Sequence, residues 1–182
     1  MKKVWGIIAL FVLAIICVYC WYWPYGQRSC AVPCMLAALR SYADDNKGWF
    51  PVGKGDALKS LALLYPKYIG PRADLLAGIS GDRSVVDALV KSGGEISGNI
   101  SSWVYFDGLR VDDDPSLALI YERHTGLHFN GSRGVAGNHV VGFVDGSFSE
   151  IPDKLWSDWL AKQNIKRKQT LSSRSKSAEN VK

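Results

Sequence analysis

Residues 139–151 read HVVGFVDGSFSEI, two β-forming runs around an Asp145-Gly146 pair. An Asp-Gly pair between such runs predicts a hairpin closed by a type I′ turn. That turn needs positive φ at both central residues, which aspartate tolerates and glycine adopts freely. An antiparallel pair here rules out an all-helical chain. Upstream, residues 101–106 and 117–122 predict two further strands, separated by a loop holding Asp112-Asp113-Asp114-Pro115. Residues 124–138 are rich in glycine and polar side chains and predict a loop. After the hairpin, residues 152–162 predict a short helix, with Leu155, Trp156, Trp159 and Leu160 covering one side of the sheet.

Toward the N-terminus the period changes. Residues 31–45 carry Met35, Leu36, Leu39, Tyr42 and Ala43 at helical spacing, with Arg40, Asp44 and Asp45 facing away, which predicts an amphipathic helix. Asn46-Lys47-Gly48 supplies its stop. Trp49-Phe50-Pro51 is extended, since a residue before proline avoids the helical region. Asp56 is a cap for a second helix running to about Tyr65, residues 75–79 are a short apolar segment, and residues 84–91 are a further short helix closed by Gly93-Gly94. The fold class expected is therefore α+β, an N-terminal helix packed across a small antiparallel sheet.

Ahead of this domain lies VWGIIALFVLAIICVYCWYW, residues 4–23, uncharged and apolar on every side. At about 1.5 Å per residue such a run spans roughly 30 Å, the hydrocarbon thickness of a bilayer. It exceeds the apolar stretch of a signal peptide and lacks a small-x-small cleavage pattern. Trp21, Tyr22, Trp23 and Tyr25 have the character of an interfacial aromatic belt, and Lys2-Lys3 favours a cytoplasmic N-terminus. The expectation is an uncleaved anchor over residues 1–25, contacting membrane lipid through residues 4–23, with an exported domain over 26–162. Pro24 and Pro33 separate the run from the amphipathic helix, leaving one kinked rod or two helices.

The 182-residue chain carries a formal net charge of +5. From Asn164 onward there are six Lys or Arg against one Glu, an excess equal to the whole net charge, so the domain is near neutral. That distribution argues against nucleic-acid binding. Residues 163–182 are expected to form a basic disordered tail. Cys17 and Cys20 act as small apolar residues in the anchor. Cys30 and Cys34, four apart, are either free thiols or a disulfide; zinc would need two further ligands that the neighbouring sequence does not offer.

Four blocks in order, LRSYADDNKGWFPVG, SLALLYPKYIGP, SSWVYFDGL and GNHVVGFVDGSFSEI, give residues 34–160 a family likeness. The chain resembles the major-pseudopilin-like proteins of type II secretion, and more narrowly the prepilin-type exported proteins of planctomycetes and verrucomicrobia. The matching positions are Tyr42, Asp45, Asn46, Gly48, Phe50 and Pro51 at the helix end, and His139, Val140 to Val144, Asp145 and Gly146 in the hairpin. The resemblance implies a pilin-like fold, an extracytoplasmic domain, and a structural role in a secretion or pilus-like assembly. The N-terminus departs from the family: Gly6 is followed by Ile7-Ile8-Ala9-Leu10-Phe11, and no glutamate occurs in the apolar run.

No residue pattern calls for catalysis. His124, His128 and His139 are read as loop and strand-end residues, and Thr125-Gly126 disfavours the helix that would align the first two on a metal. Asp112, Asp113 and Asp114 lack the spaced oxygen ligands of a calcium loop and read as a solvated turn. Gly131-Ser-Arg-Gly134 matches no phosphate motif opening a helix. No catalytic, cofactor-binding or metal residue is expected. Two functions remain: a membrane-anchored structural or interaction protein, or an anchored enzyme or ligand-binding domain using the 124–139 loop.

Overall fold

A computed structural model describes residues 2–28, 31–53, 57–134 and 137–179. The expected Asp56 cap, and Cys30 with its pairing to Cys34, lie outside the described residues. The chain is α+β, with an apolar N-terminal helix α1 (Lys2–Tyr22) and a helix α2 (Ala31–Asp45). Next come α3 (Ala57–Leu61), 3-10 segments at Ala62–Leu64 and Ala73–Ala77, and α4 (Arg83–Lys91). Strands β1 (Trp103–Tyr105), β2 (Ala118–Glu122), β3 (Asn138–Phe143) and β4 (Phe148–Pro152) precede a long α5 (Asp153–Glu179).

The strands form one antiparallel sheet in the order β1-β2-β3-β4. Successive side chains alternate between its faces, and a helix lies on each. On one face α2 buries Val32, Met35, Leu36 and Leu39. Gly142 admits this helix closely, because a Cβ there would meet Leu36 Cδ2 at 2.7 Å. On the other face α5 lays Trp156 across His139 and Tyr121, with ring centroids 3.7 and 5.0 Å apart, and Trp159 beside Phe143 at 6.2 Å. Trp103 is fully buried and donates Nε1 to the Leu75 carbonyl at 2.9 Å, tying the sheet to the 3-10 segment at Ala73–Ala77. Tyr105 does the same for the extended segment, its hydroxyl donating to the Pro51 carbonyl at 2.9 Å.

The break between the first two helices is complete. Helix α1 closes with Trp23 N–H on the Tyr19 carbonyl at 2.8 Å. Pro33 sits in the first turn of α2, where a missing N–H costs nothing. Two helices, not a kinked rod, result. Helix α2 stops as expected, with Asn46 Nδ2 donating to the Tyr42 carbonyl at 2.7 Å and Gly48 N–H returning to Ala43 O at 2.8 Å.

Two expectations fail. The hairpin turn is not type I′: among the described residues Lys47 is the non-glycine with positive φ, so Asp145 does not adopt it, while Gly146 has φ 86°. Gly146 N–H bonds Phe143 O at 3.0 Å and Phe143 N–H bonds Ser147 O at 2.9 Å. This is a three-residue loop with a glycine bulge, the next most common hairpin closure. Val144 causes the difference. Its N–H goes to Leu117 O at 3.0 Å and its carbonyl accepts Arg40 Nη1 at 3.1 Å, which hold it outside the β3–β4 ladder.

The second failure is the tail. Residues 163–179, expected to be disordered, continue α5 as far as Glu179. Gln163 is buried, its Oε1 accepting Ala118 N–H at 2.9 Å. Further along, Arg167 reaches Asp107 at 3.1 Å, Lys166 reaches Asp114 at 3.4 Å and Arg174 reaches Asp113 at 2.5 Å. Two of the three aspartates that read as a solvated turn, Asp114 and Asp113, are the landing site of helix residues 52 and 61 positions downstream, while Asp112 pairs with Arg110.

Candidate functional site where the apolar helix meets the domain

Helix α1 has no buried face: Trp5 is 70%, Phe11 68% and Val18 68% exposed. A 21-residue helix is about 31 Å long at 1.5 Å per residue. It is long and apolar enough to cross a membrane, which is compatible with a single-pass anchor or a signal sequence.

The base of α1 is fastened to the domain by the 124–134 loop. Arg133 N–H donates to the Tyr22 carbonyl at 2.9 Å, and Arg133 Nε donates to the Trp21 carbonyl at 2.7 Å. These are carbonyls of the last helical turn, which have no partner within the helix. The guanidinium also stacks on the Trp21 ring, 4.3 Å from its centroid. Arg28, in the segment between α1 and α2, donates its backbone N–H to Asn130 O at 2.9 Å and Nη1 to Ile79 O at 2.5 Å. Burial lowers the pKa of Arg28, with Tyr25, Asp74 and Glu122 opposing the shift.

Ile79 belongs to a buried polar cluster centred on Glu122, at the end of β2. Glu122 Oε2 accepts Ile79 N–H at 2.9 Å and Ser102 Oγ at 2.9 Å, while Oε1 accepts Ser80 Oγ at 2.5 Å. The side chain is wholly inaccessible, and desolvation raises its pKa against the lowering effect of the three hydrogen bonds. A carboxyl with an elevated pKa marks a functional site in many proteins. Here both oxygens are taken up by Ile79 N–H and the Ser80 and Ser102 hydroxyls, which tie the 79–80 segment to the sheet.

The loop itself is held by Glu150 on β4, which lies 2.8 Å from His128 Nδ1 and accepts Phe129 N–H at 3.2 Å. Asn138 Nδ2 donates to the same carboxylate. The three histidines are therefore dispersed. His128 faces Glu150, and His124 is exposed at the base of α1. His139 is buried against Trp156, with Nε2 3.2 Å from Asp153 Oδ1. Burial lowers its pKa, opposed by Asp153 and by the Glu122 backbone. Among the described residues no group of three His, Cys, Asp or Glu is positioned to hold a metal ion.

Between the end of α1 and the loop lies a cavity of about 450 Å³, walled by Trp21, Pro24 and Tyr25 on one side and His124, Thr125 and Arg133 on the other. Its described lining includes Arg133 and no acidic residue. The chain matches no family model, no curated protein and no solved structure. Sequence reasoning singled out the 124–139 loop but not its docking on α1, because Arg133 is an isolated cation in a loop whose partner lies 112 residues upstream.

Proposed function

We propose that this chain is a membrane-anchored, pseudopilin-like structural or interaction protein. Its N-terminus is cytoplasmic and its domain faces the periplasm or exterior. The observation that carries the reading is the pairing of a fully exposed apolar helix with a base bonded to the domain at four points, through Arg28 and Arg133. A leader destined only for removal needs no such bonds. A subunit that presents one face at a set height above a bilayer does. Helix α2 lying on an antiparallel sheet is in keeping with the pilin-like resemblance, whereas α5 on the opposite face is an addition to it.

The work of such a protein is packing, against like subunits or against secretion or pilus-like machinery. The apolar surface of α1 and the exposed Val52, Leu63 and Val85 of the domain supply contact area. The cavity beside the loop favours, in part, a ligand-binding role at the membrane surface.

The test is topology together with association. Protease added to spheroplasts should digest the domain and leave a membrane-embedded N-terminal fragment. A photo-crosslinker at Phe11 or Val18 should then capture a second copy or a membrane protein. A domain that stays protected, or a mature protein beginning beyond Trp23, refutes the anchoring. Crosslinks to lipid alone refute the assembly role.

A further inference from the structure

We infer that the cavity between the base of α1 and the 124–134 loop binds the phosphate of an anionic glycerophospholipid headgroup. The inference rests on the anchoring proposed above. Three features carry it. The cavity, about 450 Å³, lies in the size range of small-ligand sites. Its walls are built from the last turn of the apolar helix, Trp21, and the residues just past it, Pro24 and Tyr25. With α1 spanning a bilayer, these aromatic residues lie at headgroup depth. A ligand there is most simply a neighbouring lipid that enters sideways, without leaving its leaflet.

The second feature is charge. Arg133 is the cation of the described lining, and no carboxylate among those residues opposes it. A guanidinium in a pocket without an opposing carboxylate suits the paired oxygens of a phosphate.

The third feature is preorganisation. Arg133 is held by its own backbone N–H on Tyr22 O, by Nε on Trp21 O at 2.7 Å and by the face of the Trp21 ring at 4.3 Å. Those contacts use Nε and leave both terminal nitrogens without a hydrogen-bond partner among the described residues. A guanidinium fixed this way offers two parallel donors to phosphate oxygens and loses little freedom on binding. His124 and Thr125, both exposed, add polar groups to the lining beside Arg133.

The experiment uses the full chain in nanodiscs of phosphatidylglycerol and phosphatidylcholine in equal amounts, with retained lipids identified by native mass spectrometry. Phosphatidylglycerol should be enriched among the lipids that stay bound, and Arg133→Gln should reduce the enrichment roughly fivefold. Because Arg133 also fastens α1, a second variant is needed that disturbs no bond. His124→Glu adds a carboxylate to the cavity from a residue with no hydrogen bond to the described structure, and should reduce enrichment similarly in a folded protein.

Equal retention of both lipids by the wild type would overturn the inference. So would unchanged enrichment in a folded His124→Glu protein. Binding of inorganic phosphate by detergent-solubilised protein without lipid enrichment would also overturn it, by assigning the cavity to a soluble anion. Failure of the chain to insert into nanodiscs at all is a different result, and counts against the anchoring reading instead.

Discussion

Glu122 offers the sharpest test of how the domain is held together, and Glu122→Ala and Glu122→Gln should separate its packing from its charge. Alanine removes the acceptor of three donors. Ser102 Oγ can turn to Ala77 O, 3.1 Å away, and Ser80 is half-buried and finds water. The Ile79 N–H has no such alternative. A buried donor left unsatisfied costs about 1–3 kcal/mol, and the lost Cγ methylene adds about 0.8 kcal/mol. A total of about 2–4 kcal/mol is a large fraction of a small domain's roughly 5–15 kcal/mol. Glutamine keeps an oxygen for Ile79 N–H and Ser102, and its amide can donate to Ser80 Oγ, so it should cost under about 1 kcal/mol.

The pH dependence carries the second half of the test. Burial raises the folded pKa of Glu122. Above about 4.3 the unfolded chain ionises while the folded carboxyl still holds its proton. Stability therefore falls as pH rises from there to the folded pKa, and is level beyond it. Glu122→Gln should flatten that decline. Chemical denaturation of the detergent-solubilised chain, followed by near-UV circular dichroism between pH 4 and 9, measures both effects. An alanine variant as stable as wild type, or a glutamine variant as unstable as alanine, would refute the assignment of Glu122 as a structural clamp.

The hairpin turn gives an independent prediction. Gly146→Val should cost about 1–3 kcal/mol, from its φ of 86° and a Cβ 3.0 Å from Arg40 Cδ, read as a drop in melting temperature. Asp145→Asn should be nearly silent, since asparagine Oδ1 still accepts Ser147 N–H, now at 2.8 Å. Arg174→Ala should fray α5 beyond Arg167, because Arg174 donates to Asp113 and to Gly108 O at 2.7 Å and stacks on Trp49 at 4.8 Å. Faster amide exchange over residues 168–179, by about 1–2 kcal/mol, is expected, with β3 unchanged. His139 has a lowered pKa, so the unfolded ring, near 6.5, takes a proton before the folded one as pH falls. Stability lost below about 6.5 should be reduced in His139→Phe, which keeps the stack on Trp156; an unaltered acid limb of the stability curve would contradict the burial account.

Local pattern carried most of the fold. The apolar spacing of Met35, Leu36 and Leu39 gave α2 to the residue, and all four strands fell within two residues of their expected bounds. What escaped was decided by partners far along the chain. Val144 looked like the last residue of a strand, but Leu117 and Arg40 hold its backbone groups and lengthen the turn. Lys166, Arg167 and Arg174 read as a solvated basic tail because sequence spacing does not disclose Asp107, Asp113 and Asp114. The same reasoning left His139 among the loop and strand-end histidines. Its burial follows from Trp156, which only the packing of α5 brings over it.

The fastening at the base of α1 and the buried cluster form one continuous chain of bonds. Arg28 Nη1 holds the Ile79 carbonyl, and the N–H of the same residue is held by Glu122 at the end of β2. Arg133 holds the final carbonyls of α1 from the loop that follows β2. A lateral load on α1 is thus delivered to the sheet through two routes that meet at one strand. A carboxylate buried at that strand end, at the desolvation cost its raised pKa records, is a poor choice for stability alone. It is a reasonable one where the same strand end also keeps the apolar helix and the domain in register. If so, Glu122→Ala should loosen the pose of α1 as well as the domain. In spin-label distance measurements from Val18 to Ser149, the distribution should broaden at temperatures where the sheet is still folded, whereas Glu122→Gln leaves it narrow. A distribution that broadens only when the sheet melts would separate the two roles and confine Glu122 to the domain.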